Sequence, residues 1–249
     1  MLTVLPGELL AERTGATPPA VVALHGWMRT GADFTPVVAG LDAVAVHFPG
    51  MGVTPEPPEA WGSAEYAAAL ARAIEPFGPV VIAAHSFGGR VAAHLAQQRP
   101  ELVRGILLTG VPLVRLTAAP RPALSYRLVR SLARARLLPA SVLEAQRRRR
   151  GSADYNAVTG RMREVFVRVV GESYPEQLAA LAALCTAGVP VRMLWGEHDS
   201  QAPADAGRAA SELIAGSRFR LVPGAGHQLE GPLREAVRAE LLELLQEVR

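Results

Sequence analysis

The chain has 249 residues, of which 49% are apolar and 20% are charged. This composition is typical of a globular protein and excludes an intrinsically disordered chain. The length is sufficient to bury one sizeable core, and single α/β domains commonly reach it. We therefore expect one main folding unit.

The charge is concentrated in one segment of the chain. All 26 basic residues are arginine, against 23 acidic residues, so the formal net charge is only +3. Residues 113–170 hold 13 of these arginines but only Glu144, Asp154 and Glu164 as acids. Aromatic residues are not interleaved with the arginines, which disfavours a nucleic-acid-binding protein.

The cellular compartment is suggested by three features. The first residues do not combine a basic start with a long apolar run, so they do not predict a signal peptide. No stretch approaches the roughly 18 apolar residues of a membrane span. The single cysteine, Cys185, cannot form an internal disulfide and is typical of a reducing compartment. We therefore expect a cytoplasmic protein without a membrane span.

Short apolar runs rich in Val, Ile and Leu alternate with Ala-rich stretches along the chain. This alternation predicts an α/β fold, in which a mostly parallel central sheet is built from strands joined by crossover helices. A short hairpin is expected within Leu2–Arg13. The strands predicted after it are Ala20–Leu24, Ala43–His47, Val80–Ala84, Gly105–Thr109, Val191–Trp195 and Arg218–Val222.

Helices are predicted on both faces of the sheet, at Ser63–Glu75, Gly89–Gln98, Ala204–Ala215 and Leu233–Glu247. Between Pro112 and Gly188 the strand rhythm stops, and an Arg-rich, amphipathic sequence intervenes. A structureless loop of this length is rare in a compact domain. We interpret residues 113–187 as a helical cap inserted into a core formed by residues 1–112 and 188–249.

A candidate nucleophile, Ser86, lies between a buried strand and a helix that begins with small residues. A serine on such a strained turn tolerates only small residues two positions before and after it, and Ala84 and Gly88 occupy these positions. The usual pattern is G-x-S-x-G, so Ala84 is a departure by one methyl group. The alternative is that Ser86 only caps the helix.

Serine needs a base within hydrogen-bond reach to become a nucleophile. Of the six histidines, His227 follows the last predicted strand on a glycine-rich loop, at the sheet edge where ligands bind in α/β folds. His94 lies inside the helix after Ser86, so we interpret it as a packing or surface residue. His47 and His85 adjoin the pocket but precede or flank turns, so we interpret these two as structural neighbours of the site.

A histidine base needs a carboxylate that fixes its tautomer. Asp199 follows the strand before His227, which produces the chain order Ser, Asp, His. Glu197, two residues earlier, is the alternative candidate for this acid. The alternative role for Asp199 is to cap the following helix without taking part in catalysis.

The oxyanion of acyl transfer requires two preorganised donors. The backbone N–H groups of Trp27, after the first parallel strand, and of Phe87, directly after the nucleophile, are expected to supply them. The Trp27 and Phe87 side chains would also wall the acyl pocket, although Trp27 could equally be a core residue.

Five blocks occur in a characteristic order: H-G-W from His25, H-F-P-G-M-G from His47, A-H-S-F-G-G around Ser86, W-G-E-H-D ending at Asp199, and G-A-G-H ending at His227. In this combination the chain resembles the α/β-hydrolase superfamily over nearly its whole length outside the cap. The resemblance implies hydrolysis through an acyl-enzyme on Ser86. Members of the family usually have an aspartate where this chain has His47, so we do not carry the role of that acid over to this chain.

The serine disfavours the activities of relatives with an aspartate nucleophile, such as epoxide hydrolases and haloalkane dehalogenases. No metal-ligand spacing, P-loop or dinucleotide fingerprint is present, so we expect no metal and no cofactor.

Substrate identity depends on the cap. We expect His25, His47 and Tyr126 to border the substrate pocket. The cap arginines favour a substrate, or a carrier of it, with an anionic group; the alternative is that they only decorate a solvated helix face. These arginines are Arg115, Arg121, Arg127, Arg130, Arg134, Arg136 and Arg147–Arg150. The H-G-W block and basic cap are similar to those of carboxylesterases that act on acyl groups held by an acidic carrier protein.

The predicted function is therefore a serine esterase or thioesterase acting on a small-molecule ester. One alternative uses the same fold and triad for another reaction, as in C–C bond hydrolases, lyases or perhydrolases. A second alternative is a weakly catalytic ligand-binding protein, which the complete Ser-His-Asp set disfavours.

Overall fold

The computed structural model describes residues 1–116 and 152–249. Within these ranges the strands, numbered β1 to β8 in chain order, are Leu2–Val4, Leu10–Thr14, Val21–Leu24, Ala43–His47, Val80–His85, Val103–Thr109, Val191–Gly196 and Arg218–Val222. They form one sheet in the order β1-β2-β4-β3-β5-β6-β7-β8.

The sheet is mostly parallel, as predicted. The N-terminal hairpin β1-β2 is antiparallel, and β2 joins β4 in antiparallel register, with Ala11 opposite Val46. All other neighbouring strands are parallel. Strands β4 and β8 have the predicted bounds, and the other predicted strands differ from the observed ones by one or two residues at an end.

The α-helices of the described residues, numbered α1 to α8, are Thr35–Val38, Ser63–Ile74, Phe87–Gln98, Ala153–Ala157, Gly160–Gly171, Pro175–Thr186, Ala204–Leu213 and Gly231–Glu247. The four predicted helices correspond to α2, α3, α7 and α8. Helix α3 begins at Phe87, two residues before the predicted start, because the strained Ser86 turn leads directly into helical backbone.

The helices cover both faces of the sheet because the central strands are apolar on both sides. In β3, Val22 and Leu24 pack in the layer that contains α2, α3, α6 and α7. Val21 and Ala23 pack in the opposite layer, with α1 and α8. A buried ion pair between Arg192 of β7 and Glu240 of α8, 2.8 Å apart, also ties α8 to the sheet.

The described part of the segment predicted as a cap contains the helices α4, α5 and α6, whereas its first residues, 113–116, are not helical. Helix α6 packs against α3, through Leu178 and Leu181 in the main core. The division into a core and a cap at residues 113–187 stays a prediction, because residues 117–151 lie outside the described ranges. In the described part of the chain, no helix has both the length and the apolar character needed to cross a membrane.

The topology determines where a site can form. Parallel strands bring their carboxyl ends to one edge of the sheet, where ligands bind in open α/β folds. His25 follows β3, Ser86 follows β5, Gly110 follows β6 and Asp199 follows β7 closely. His227, in the loop between β8 and α8, is brought to the same edge.

Candidate active site

Ser86 has the backbone geometry of a nucleophile elbow. Its φ of 51° and ψ of −112° lie outside the regions that non-glycine residues normally adopt. Its N–H donates to the carbonyl of Thr109 at the end of β6, 2.9 Å away, which anchors the strained turn to the sheet. Such strain is concentrated at functional sites, where surrounding contacts hold it in place.

Small residues are required around this turn. A Cβ atom on Gly88 would lie only 2.4 Å from the Leu24 carbonyl oxygen, and one on Gly89 would lie 2.1 Å from a Val111 methyl group. The Gly88 N–H donates to the His25 carbonyl at 3.0 Å, which joins the start of α3 to the loop after β3. Ala84, where the usual pattern has glycine, is buried within β5.

His227 and Asp199 form a buried hydrogen-bonded pair. The His227 Nδ1–H donates to Asp199 Oδ2 over 2.7 Å, and both side chains are more than nine-tenths buried. Donation from Nδ1 leaves Nε2 unprotonated in the neutral ring, so Nε2 can accept a proton from a hydroxyl group. His227 and Ser86 line the same cavity.

The second oxygen of Asp199 organises the loop before α7. Asp199 Oδ1 accepts hydrogen bonds from the backbone N–H groups of Gln201, at 2.9 Å, and Ala202, at 2.7 Å. The carboxylate therefore both contacts His227 and organises the local turn. Glu197, the alternative acid, is exposed and accepts the Gly224 N–H instead.

The two candidate oxyanion donors lie on adjoining loops. Neither the Trp27 N–H nor the Phe87 N–H has an acceptor in the described part of the chain. The Gly26–Arg29 turn that presents Trp27 is closed by an Arg29 N–H bond to the Gly26 carbonyl, and Met28 has a φ of 51°. Neither amide is thus occupied by the described residues, as the predicted role of an oxyanion donor requires.

The side chains of these two residues pack together at the cavity. The Trp27 and Phe87 rings meet edge to face with centroids 5.6 Å apart, and Phe166 of α5 lies 5.4 Å from Trp27. Aromatic pairs in this arrangement stabilise one another beyond their buried area. Helix α5 thus contributes a wall of the cavity.

His25 is a buried structural histidine. Its Nδ1–H donates to the Gly26 carbonyl at 2.7 Å, and its Nε2 accepts the Phe48 N–H at 3.1 Å. Both ring nitrogens are therefore used to join the loop after β3 to the loop after β4. Burial lowers the pKa of His25 to about 4, so the ring is neutral at physiological pH.

His47, the residue in place of the usual acid, is also buried. Its Nδ1 accepts a long bond of 3.3 Å from the Gly31 N–H, and its Nε2 lies 3.5 Å from a carboxylate oxygen of Glu12. Neither His25 nor His47 is among the described residues that line the cavity. The structure therefore does not bring these two expected substrate contacts to the site.

His85 directly precedes Ser86 and contacts the loop that carries His227. Its Nε2–H donates to the backbone carbonyl of His227 over 2.9 Å, and the two imidazole centroids are 4.8 Å apart. Burial, followed by the nearby His227, lowers the pKa of His85 to about 4. The ring is therefore a neutral hydrogen-bond donor and not a competing base.

The cavity has a volume of about 140 Å³ and opens beside Ser86. One side of its lining is apolar and includes three aromatic or aliphatic residues of α5. The described lining residues are Trp27, Ser86, Phe87, Arg90, Pro112, Asp154, Phe166, Val169, Val170, Gln201, Ala202 and His227.

Two residues that adjoin the site were not among the site residues predicted from the sequence. Gly110, with a φ of +61°, follows β6, and a Cβ atom on it would lie 3.0 Å from the His227 ring and 3.2 Å from Asp199 Oδ2. Arg90 lines the cavity one helical turn after Ser86. The spacing of Arg90 from Ser86 was visible in the sequence, whereas the position of Gly110 depends on the neighbouring strands.

Several sequence-based expectations fall outside the described residues. These are Tyr126, Arg121, Arg127, Arg130, Arg134, Arg136 and Arg147–Arg150. Arg115, which is described, donates to the carbonyl oxygens of Val170 and Glu172 and is not part of the cavity lining. The described residues also contain no group of three or more His, Cys, Asp or Glu side chains that could hold a metal ion.

A family model agrees with this architecture. A model described as the alpha/beta hydrolase family matches residues 21–243. The lipase LipV of Mycobacterium tuberculosis (strain ATCC 25618 / H37Rv) is 30% identical over 180 residues, which are 70% of this chain and 63% of the lipase. The chain therefore spans less than two thirds of the length of that relative.

Solved structures share the same fold. The bromoperoxidase from Bacillus anthracis superimposes with a TM-score of 0.71 at 18% identity, covering 99% of this chain and 100% of that one. The monoacylglycerol lipase of Paleococcus ferrophilus does so with a TM-score of 0.64 at 20% identity, covering 96% of this chain and 99% of that one. At these identities the similarity concerns the fold alone.

Proposed function

Because the chain belongs to the alpha/beta hydrolase family, we propose that it is a serine hydrolase that cleaves a carboxylic ester or thioester through an acyl-enzyme on Ser86. The observation that carries this proposal is the buried His227–Asp199 pair, because its His227 ring lines the same cavity as the strained Ser86 turn. The similarity to the lipase LipV supports ester hydrolysis as the reaction class.

In the first half of the reaction, His227 Nε2 takes the Ser86 hydroxyl proton as Oγ forms a bond to the substrate carbonyl carbon. The carbonyl π electrons move to the oxygen, and the Trp27 and Phe87 N–H groups stabilise this oxyanion. The oxyanion then collapses, the bond to the leaving group breaks, and the imidazolium returns its proton to the departing alcohol or thiol.

In the second half, His227 deprotonates a water molecule as its oxygen attacks the acyl-enzyme carbonyl. The second oxyanion occupies the same two donors. Its collapse breaks the bond to Ser86 Oγ, which regains a proton from His227, and releases the carboxylic acid. Asp199 holds the tautomer of His227 and stabilises the imidazolium in both halves.

The proposal is tested with a fluorophosphonate probe and intact-mass measurement, which need no knowledge of the substrate. We expect one stoichiometric adduct on the wild-type protein and none on Ser86→Ala or His227→Ala. The Ser211→Ala variant is the matched control, because this hydroxyl lies on α7 and contacts Ser217. It should label like the wild type.

A folded wild-type protein that forms no adduct would contradict an activated Ser86. An adduct followed by turnover of short-chain esters and thioesters would identify the reaction class. Turnover restricted to carbon–carbon or peroxide chemistry would instead favour another use of the same residues.

A further inference from the structure

Arg90 lines the cavity beside the nucleophile. Arg90 follows Ser86 by one turn of α3, which corresponds to roughly 6 Å along the helix axis. Side chains on a helix lean toward its N-terminus, which is the end of α3 that follows Ser86. Consistent with this direction, both residues line the same cavity.

The guanidinium group of Arg90 is incompletely satisfied. One terminal nitrogen donates to the Val169 carbonyl at 3.0 Å, and the group lies 5.8 Å from the centre of the Tyr174 ring. Its Nε is buried and has no acceptor among the described residues. The side chain pairs with no carboxylate in this part of the chain, although buried donors and charges normally have partners.

Two arginines of α5 differ from Arg90 in this respect, because each lies beside a carboxylate. Arg168 of α5 pairs with Glu65 and donates to the Ala60 carbonyl, and Arg161 lies 3.9 Å from Glu56. These contacts hold α5 against the rest of the protein, and the positive charges of both arginines are balanced by nearby glutamates. Arg90 differs from these two arginines in that it lines the cavity beside Ser86 and has no carboxylate partner among the described residues.

Trp27, which lines the same cavity, carries a second donor that lacks an acceptor among the described residues. This donor, the indole Nε1, is buried. The cavity lining includes the apolar side chains of Phe87, Phe166 and Val169, and its one described carboxylate, Asp154, is exposed to solvent. In such surroundings an ionic contact is stronger than in water, and an unsatisfied donor is more costly.

We propose that Arg90, with Trp27 Nε1 as a second donor, forms a carboxylate-binding subsite, and that the preferred substrates are esters whose acyl group carries a second, free carboxylate. This inference rests on the proposed function. It places the scissile carbonyl at the Phe87 N–H and the free carboxylate further along the same helix, so that α3 organises both ends of the acyl group. An arginine fork suits this role because it binds both carboxylate oxygens.

The experiment compares two methyl esters of equal chain length, monomethyl adipate and methyl hexanoate, by acid release in a pH-stat. We expect the wild type to prefer monomethyl adipate in kcat/KM. In Arg90→Gln the ratio of the two kcat/KM values should fall roughly 10- to 100-fold, the range for a lost hydrogen bond to a charged group. Arg90→Lys, which keeps the charge but not the fork, should retain part of the preference.

The control is Arg72→Gln, which removes an exposed arginine from α2 and should preserve the wild-type ratio. A wild type without preference, or an Arg90→Gln variant that loses both activities equally, would overturn the subsite. A preference for 4-acetoxybutanoate over butyl acetate without one for monomethyl adipate would also overturn it. Failure of the proposed function is distinguishable, because the wild type would then form no fluorophosphonate adduct.

Discussion

His85 donates a hydrogen bond from Nε2 to the backbone carbonyl of His227, and its ring packs 4.8 Å from the His227 ring. The residue before the candidate nucleophile therefore holds the loop that carries the candidate base. A Cβ atom on Gly26 would lie 3.0 Å from His85 Nδ1, so the loop that presents Trp27 contacts the same imidazole. His85 thus lies at the junction of the three loops that form the site.

Replacement of His85 by Phe should loosen this junction. The His227 carbonyl would lose its donor, which costs about 1–3 kcal/mol when a buried acceptor is left unsatisfied. We expect kcat to fall roughly 10- to 100-fold through misplacement of His227, with a smaller change in KM. Steady-state kinetics on a short-chain ester and urea unfolding measure the two effects.

A matched variant, His85→Gln, keeps an N–H donor and should recover part of the lost kcat. His198→Gln, which changes an exposed histidine, serves as the control. Wild-type kcat in His85→Phe would show that the hydrogen bond does not position His227.

Asp199→Asn should separate the two functions of this side chain. The remaining Oδ1 can still accept the Gln201 and Ala202 N–H groups, so stability should change little. The new amide cannot accept from His227 Nδ1, which favours the tautomer without a free Nε2 lone pair. We expect kcat/KM to fall on the order of 10³- to 10⁴-fold, as in other Ser-His-Asp sites.

Asp199→Ala removes both functions and should add a loss of stability of about 1–3 kcal/mol, measurable by thermal unfolding. Glu197→Gln is the matched control for charge. Equal damage from Glu197→Gln would identify Glu197 as the acid and contradict the assignment of Asp199.

The fold was predictable because the central strands are buried on both faces. In β4 all five residues are buried, so its apolar run stands out from its surroundings. The start of β6 was missed because Arg104 is exposed and interrupts the apolar pattern between Val103 and Gly105. Strand and helix ends depend on such local contacts and are therefore the least visible part of the sequence.

The candidate site was visible only where a residue's chemistry defines its role. Ser86, Asp199 and His227 carry functional groups in a recognisable order, and the structure brings the last two into contact. Gly110 carries no such group. Its role arises because β6 lies beside β7, which places its backbone against the His227 ring. Such a contact depends on tertiary structure and has no local sequence signal.

Gly110→Ala should perturb the His227–Asp199 pair directly. The new methyl group would lie 3.0–3.2 Å from atoms of both side chains, so at least one of them must move. The positive φ of +61° adds a backbone cost of about 1–2 kcal/mol for a residue with a Cβ atom. We expect lower stability together with at least a roughly tenfold loss of kcat/KM.

Gly40→Ala is the matched control. Its φ is +77°, and a Cβ atom there would meet nothing within 4 Å. This variant should lose similar stability but keep its activity. If both variants kept full activity, the close contact of Gly110 with the catalytic pair would have no functional consequence.

The buried neutral histidines should make stability depend on pH. The folded-state pKa values of His25 and His85 are about 4, below the ordinary value of 6.5, chiefly because of burial. The unfolded chain therefore binds more protons between these values, and the free energy of unfolding falls as pH drops through this window. Linkage predicts that the free energy of unfolding is lower by roughly 2 kcal/mol per histidine at about pH 5 than at about pH 7.

Urea unfolding at the two pH values measures this loss of stability. His25→Gln and His85→Gln should each reduce it by about that amount, whereas His198→Gln, at an exposed position, should not change it. An undiminished loss in both buried-site variants would mean that other groups cause the acid sensitivity.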